Sequence, residues 1–379
     1  MIYLDNCATT QVKKEAAQKA LEMMCTNYGN PSSLHNMGTI ALKNLYEARY
    51  SLSKVIAAPT NTIYFTSGAT ESNNLAIQGG CAEMAVEKGH IVTTSIEHSS
   101  VLGACRKMEE KGYHITYIQP DSVSHSINTN DIISAVNPST VMVSIMAVNN
   151  ETGEILPLKE IIDGVKTKNP KTLIHCDATQ CFGKLPFKLH EYPVDYLSAS
   201  GHKIHAPKGI GILYVRTGLM PVPFKYGGAQ EGKINPGTES VPLACAFGVA
   251  AESALESVNQ KIQYITQLKD YLKKSLNANF SHISFNEPKK TSPYILNFSF
   301  QGHDSEKIID YCSLHDIYLS SSSACAKGRK SHVLKEAGFD EWQINGAVRI
   351  GLSIYNTTKD IDHLINVLSD YFKQFQSKL

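Results

Sequence analysis

The sequence lacks a dominant charge. Its 36 Lys and Arg against 35 Asp and Glu leave a formal net charge of +1, too weak a field to make nucleic acid or an anionic membrane a principal partner. It also lacks any apolar run approaching a membrane span, and it opens Met1-Ile-Tyr-Leu-Asp-Asn6 without the basic and apolar regions of a secretory signal, so the expected compartment is the cytoplasm. There is no Cys-x-x-Cys pair, internal repeat or low-complexity tract. The 9 cysteines are an odd, scattered set, which predicts reduced thiols rather than a disulfide framework. Cys176 and Cys181, the nearest pair, do not have the spacing of a zinc site.

What is present is an ordinary core-forming chain of 379 residues, 42% hydrophobic and 19% charged, long enough for one large and one small domain. Seven β-branched or aromatic runs, at 62–67, 90–95, 114–119, 140–149, 172–178, 196–200 and 211–216, mostly alternate with helical patterns. This predicts an α/β fold with a seven-stranded, mostly parallel sheet covered by helices on both faces. A long helical pattern from Leu243 to about Asn277 contains no proline and suits a connector. Beyond it a smaller α/β unit reads strand 294–300, helix 305–314, strand 317–320, a Ser-rich loop, strand 347–353 and helix 358 to about 374. The expected division is a large domain over 14–257 and a small one over 1–13 and 258–379.

The richest stretch is Ser198-Ala-Ser-Gly-His-Lys-Ile-His-Ala-Pro-Lys-Gly-Ile-Gly211, where Lys203 follows a short apolar strand and precedes a glycine-punctuated turn. Upstream, the strand ending in Asp177 and followed by Gln180 supplies a carboxylate and an amide suited to holding a charged aromatic nitrogen heterocycle. Together they point to pyridoxal 5'-phosphate (PLP), which needs a lysine, an acid at its pyridine nitrogen and an anion hole. A single lysine is ordinarily a surface residue, and a strand-end Asp ordinarily caps a turn; their conjunction argues otherwise. Ser67, Asp177 and Ser200 fall at carboxyl ends of strands, where ligands gather in such sheets. The small-residue turn Thr66-Ser-Gly-Ala-Thr70 opens a helix, and the amides of Ala69 and Thr70 there suit a phosphate.

The chain resembles the NifS/IscS-type cysteine desulfurases, PLP enzymes of fold type I in the class V aminotransferase family. The resemblance is carried almost end to end by Ile2-Tyr-Leu-Asp-Asn-Cys-Ala-Thr-Thr10, Tyr28-Gly-Asn-Pro-Ser-Ser-Leu-His35, Phe65-Thr-Ser-Gly-Ala-Thr-Glu-Ser-Asn-Asn-Leu75, Glu97-His-Ser-Ser100, Val148-Asn-Asn-Glu-Thr-Gly153, Asp177-Ala-Thr-Gln180, the Lys203 segment and Ser322-Ser-Ala-Cys325. It implies conversion of L-cysteine to L-alanine with a persulfide formed on Cys325, in a homodimer. It further implies that Lys203 binds the cofactor covalently and carries the proton at the substrate α-carbon, while Asp177 holds the pyridine nitrogen. His98 would stack on the ring, Gln180 and Asn150 would contact its phenolic oxygen, and Arg349 would pair with the substrate carboxylate. Ser200 and His202 would add donors to the phosphate, and Thr238 would complete that cup from the other subunit. No intrinsic metal is implied, only a transient iron–sulfur cluster ligand role for Cys325. The sulfur acceptor would be a protein such as an iron–sulfur scaffold or a tRNA-thiolation enzyme.

Cys325 lies in a polar stretch with Lys327, Arg329 and Lys330 downstream, cations that favour the nucleophilic thiolate. This stretch is shorter and more basic than the family's, so an acceptor with an acidic face is expected. Asn235 stands where many relatives have an arginine, which predicts weaker cofactor binding. Ser353-Ile-Tyr355 replaces a common Gly-Arg-Phe and leaves the sub-branch open. Selenocysteine lyase shares this constellation and is the alternative enzyme. A weak paralogue serving as an assembly platform is the non-enzymatic alternative, and an aminotransferase would leave the Cys325 segment without a purpose.

Overall fold

The computed structural model describes residues 1–85, 88–321 and 330–375. A two-residue strand, β1 (Ile2–Tyr3), is followed by seven strands of one sheet: β2 (Ile63–Thr66), β3 (His90–Thr94), β4 (His114–Ile118), β5 (Thr140–Met146), β6 (Leu173–Asp177), β7 (Tyr196–Ser200) and β8 (Gly211–Val215). These are the seven runs expected from sequence. Their order is β2-β8-β7-β6-β5-β3-β4, with β8 antiparallel to both neighbours and all other pairs parallel. Every residue of β3, β5, β6, β7 and β8 is buried, as expected for strands covered on both faces.

A second, antiparallel sheet of four strands has the order β12-β13-β10-β9, built from β9 (Ile283–Phe285), β10 (Ile295–Phe300), β12 (Ser320–Ser321) and β13 (Ala347–Gly351). The single strand expected over 317–320 is split. β11 (Ile317–Tyr318) pairs with β1, whereas β12 pairs with β13 and sets Ser320 opposite Arg349. The connector also differs from the sequence reading. It is two helices, Val241–Leu255 and Val258–Asn279, bent by 77°. Ser257 adopts a left-handed conformation at the break (φ 51°), and the buried pattern changes across it. The first helix buries most of its circumference, including Ala244, Cys245, Ala246, Phe247, Ala250 and Ala251, while the second buries a stripe of Ile265, Leu268, Lys269, Leu272 and Leu276. Straight continuation would leave one of those surfaces without its partner. Among the described residues no single helix is long and apolar enough to cross a membrane, and eight cysteines are free thiols.

Candidate active site

The carboxyl ends of β2, β3, β5, β6 and β7 open onto one region, because parallel neighbours point their ends the same way. Asp177 closes β6 and pairs in register with Met146 of β5 and Ser198 of β7. It is 5% exposed. Its Oδ2 accepts from Asn73 Nδ2 at 2.8 Å and its Oδ1 from the Thr179 amide at 3.0 Å, which fixes the carboxylate's orientation. Asn73 also donates to Ser100 Oγ at 2.8 Å, and Ser100 Oγ lies 2.8 Å from His98 Nδ1. With its oxygen already accepting, the Ser100 hydroxyl donates to Nδ1, as does the Ser100 amide at 3.2 Å. His98 therefore carries its proton on Nε2. Burial lowers its pKa against the opposing pull of Asp177, so the ring is neutral near pH 7. The relay from Asp177 through Asn73 and Ser100 to His98 is one that sequence reasoning missed. Its signal was the placement of Asn73 one helical turn beyond Ala69.

The turn after β2 places Gly68 at φ 153°, a conformation that side chains other than hydrogen rarely adopt. A Cβ there would come within 3.9 Å of Ser200 Oγ, and a Cβ on Gly211 would lie 2.6 Å from the Gly68 Cα. Two strand ends thus meet with no intervening side chain. The helical segment begins at Ala69, and its first-turn amides have no acceptor within the helix. Glu71 is buried and accepts from the Ser67 amide at 2.7 Å, from Lys225 and from Asn235. Burial alone would raise its carboxyl, but the Lys225 ammonium and the Ser67 amide hold it below the usual value. Lys225 Nζ lies 3.3 Å from Asn235 Oδ1, so a cation still stands at this position although residue 235 is neutral.

Lys203 sits in a short 3-10 turn after β7 and donates to the carbonyls of Cys7 and Ala8 at 2.6 and 2.7 Å. Gln180 is buried and donates to the same Cys7 carbonyl at 3.0 Å while accepting from Lys184 at 3.1 Å. His202 Nδ1 lies 3.2 Å from Thr9 Oγ1, and burial with the nearby Lys203 pushes its pKa down to about 4. The N-terminal segment 7–10 therefore lies directly against the lysine turn.

Arg349 of β13 is 2% exposed. It donates through Nη1 to the Asn150 carbonyl at 2.9 Å, and through Nη2 to Ser320 Oγ at 2.7 Å and Asp5 Oδ1 at 3.1 Å. Its Nε is buried with no hydrogen-bond partner among the described residues. Asn150, Ser320 and Asp5 together hold the Nη1–Nη2 edge of the guanidinium and, among the described residues, leave Nε unused. Next to Asn150, Glu151 accepts from Ser331 at 2.5 Å. Burial pushes its carboxyl up to about 7. Of the expected site residues, Cys325, with Lys327 and Arg329, lies outside the described residues. Thr238 is exposed on the surface of its own chain.

Glu97, beside His98, is fully buried. Its Oε1 accepts from Thr94 and the Met146 amide, and its Oε2 has no partner among the described residues. Burial raises its pKa to about 8, so the folded state holds this proton more tightly than the unfolded chain. The group therefore opposes folding increasingly as pH rises from the ordinary carboxylate range through about 8. Burial of His175 and His202 works oppositely, with stability lost as pH falls from their usual value toward about 4. Glu97→Gln should flatten the loss of stability between pH 6.5 and 8, by up to ~1.4 kcal/mol per pH unit in the steepest part. Urea unfolding of both proteins across that range checks this, and parallel profiles would refute it.

The model of the aminotransferase class-V family matches residues 2–364. The cysteine desulfurase IscS of Dictyoglomus turgidum (strain DSM 6724 / Z-1310) is 34% identical over 99% of this chain and 95% of its own length. A cysteine desulfurase of Nostoc sp. (strain PCC 7120 / SAG 25.82 / UTEX 2576) is 36% identical over 100% of this chain and 94% of its own. Among solved structures, a NifS-like protein superposes with a TM-score of 0.93 at 34% identity, covering 98% of this chain and 99% of its own. SspA, solved in complex with cysteine, gives 0.82 at 32% identity, covering 94% and 100%. The α/β architecture is accordingly the fold type I that the resemblance implied. With likeness of this extent over both sheets and the strand-end constellation between them, the chain belongs to the aminotransferase class-V family and, within it, to the cysteine desulfurases.

Proposed function

We infer that this chain is a PLP-dependent cysteine desulfurase that converts L-cysteine to L-alanine and takes the sulfur onto Cys325. The observation that carries this reading is the buried Arg349 Nε, which has no partner among the described residues, in a fold that also gathers Lys203 and Asp177 about His98. The residues present fit the cofactor. A second polar atom without a partner among the described residues, Asn73 Oδ1, lies beside Asp177, and the Gly68 turn offers first-turn amides beside a glycine that carries no side chain.

Asp177 would hold the pyridine nitrogen, Ala69, Thr70, Ser200 and His202 the phosphate, and Lys203 the aldehyde carbon. His98 would lie against the ring, with Gln180 and Asn150 at its oxygen. When bound, PLP supplies an electron sink for the pair left at the substrate α-carbon. Arg349 orients the substrate by its carboxylate, a task suited to a guanidinium already held along one edge. Lys203 moves the α-proton, and neutral His98 is able to carry a proton toward the leaving sulfur. The Cys325 thiolate attacks that sulfur. The carbon–sulfur bond breaks, a sulfur–sulfur bond forms, and the substrate carbon takes up a proton and leaves as alanine.

The persulfide would pass to an acceptor protein, such as an iron–sulfur scaffold or a tRNA-thiolation enzyme. The active unit would be a homodimer in which Thr238 of each chain completes the other's phosphate cup. Tyr28, Leu34, Leu42 and Tyr46 are strongly exposed, as are Met220 and Tyr226, and the Arg49–Glu231 ion pair at 2.6 Å joins these two stretches. Such apolar exposure suits a self-association face. Free thiols throughout the described chain support a reducing, cytoplasmic setting. The division into 14–257 and 1–13 with 258–379 is part of the same reading, supported by the two separate sheets and the bend at 256–257.

Arg349→Lys tests the substrate site. It should raise the KM for L-cysteine roughly ten- to a hundredfold with a smaller change in kcat, as loss of a charge-assisted, directed pair predicts. An unchanged KM would remove Arg349 from substrate binding.

A further inference from the structure

Behind the Lys203 turn, on the side lined by Asn6, Thr10 and Lys203 but by none of the other catalytic residues, lies an open cleft of about 550 Å³ including the solvent at its mouth. Its walls come from widely separated parts of the chain. Lys13 precedes the first long helix, Lys184 follows β6, His205 follows the lysine turn, and Ser253 and Lys261 flank the 77° helix bend. Lys13 donates to Ser253 Oγ and Lys261 to the Ser253 carbonyl, so two ammonium groups are held on one residue. Lys13, Lys184 and Lys261 line the same cleft as the His205 ring, whose pKa is lowered by burial and further by these three charges. Its Nδ1 lies 2.9 Å from the Gln11 carbonyl.

Lys184 is 8% exposed. Its hydrogen bond goes to the neutral Gln180, and its ammonium lies 5.8 Å from the Tyr294 ring centroid. No Asp or Glu is among the described residues lining the cleft. A buried ammonium without a carboxylate is costly, and gathering like charges around it adds repulsion. Both costs are relieved by a bound counter-charge with several acceptor oxygens.

We propose that this cleft binds a small multivalent oxyanion of the phosphate or sulfate class, held by Lys13, Lys184 and Lys261. The site does not depend on the catalytic reading. A protein that failed to turn over cysteine would still bind the anion here.

The test is calorimetric titration of the cofactor-loaded protein with inorganic phosphate at fixed ionic strength, beside the Lys13→Ala/Lys261→Ala double variant. Wild type should bind phosphate saturably, sulfate should compete and acetate should not. The double variant should bind about tenfold more weakly or worse, while its cofactor loading and cysteine turnover stay at the wild-type level. Lys261→Arg, which keeps the charge, should retain binding that Lys261→Ala loses. Glycerol 1-phosphate separates the two sources of the group: tighter binding than inorganic phosphate assigns the cleft to a phosphorylated metabolite, and weaker binding to the free ion. Equal phosphate binding by wild type and double variant, or binding by neither, overturns the proposal.

Discussion

Lys203→Ala should leave a folded protein that neither retains PLP through denaturing dialysis nor turns over L-cysteine at a measurable rate. Lys203 has two tasks in this account, covalent attachment of the cofactor and proton transfer at the substrate α-carbon. Loss of a positioned proton carrier alone costs roughly 10²–10⁴-fold in rate, and loss of the attachment adds to it. The lysine's bonds to the Cys7 and Ala8 carbonyls raise a competing explanation, that the variant fails because the 7–10 segment comes loose. Partial rescue by an added small primary amine distinguishes the two, since an amine restores proton transfer and not a tether. Retention of turnover by the variant would remove Lys203 from the chemistry.

Asp177→Asn should keep the cofactor bound and the fold intact while lowering kcat for cysteine by two orders of magnitude or more. The substitution preserves size, and the amide oxygen can still accept from Asn73 or the Thr179 amide, which now bond to the carboxylate at 2.8 and 3.0 Å. What it removes is the negative charge opposite the pyridine nitrogen, and with it the protonation that makes the ring an effective electron sink. A second readout follows from the relay to His98. Asp177 opposes the lowering of the His98 pKa, so the variant should titrate His98 at still lower pH, visible in the ring-proton shifts. A variant with wild-type kcat and an unmoved His98 would contradict both assignments.

The sequence showed most where periodicity and local motifs carry the information. All seven strands of the large sheet coincide with β-branched runs, because strands buried on both faces need nearly continuous apolar residues. Lys203 and Asp177 could be placed at strand ends because a strand followed by a small-residue turn is a local pattern. The bend at Ser257 was not legible, since neither Pro nor Gly marks it and the change is in which surfaces the two helices bury. The split of residues 317–321 between two sheets was hidden for the same reason: partner choice is a long-range property. Asn235 looked like a lost charge until Lys225, ten residues earlier, proved to stand beside it. The lysine-lined cleft could not have been read at all, because its cations are distant in sequence and only the fold brings them to one cleft.

The most direct test is alanine and sulfide release from L-cysteine with a thiol reductant, measured for wild type and Cys325→Ala while the absorbance of bound cofactor is followed in both. The account predicts that both proteins bind PLP and that only wild type releases alanine and sulfide in equal amounts. Cofactor binding by wild type without cysteine turnover, or equal turnover by the two proteins, would contradict it.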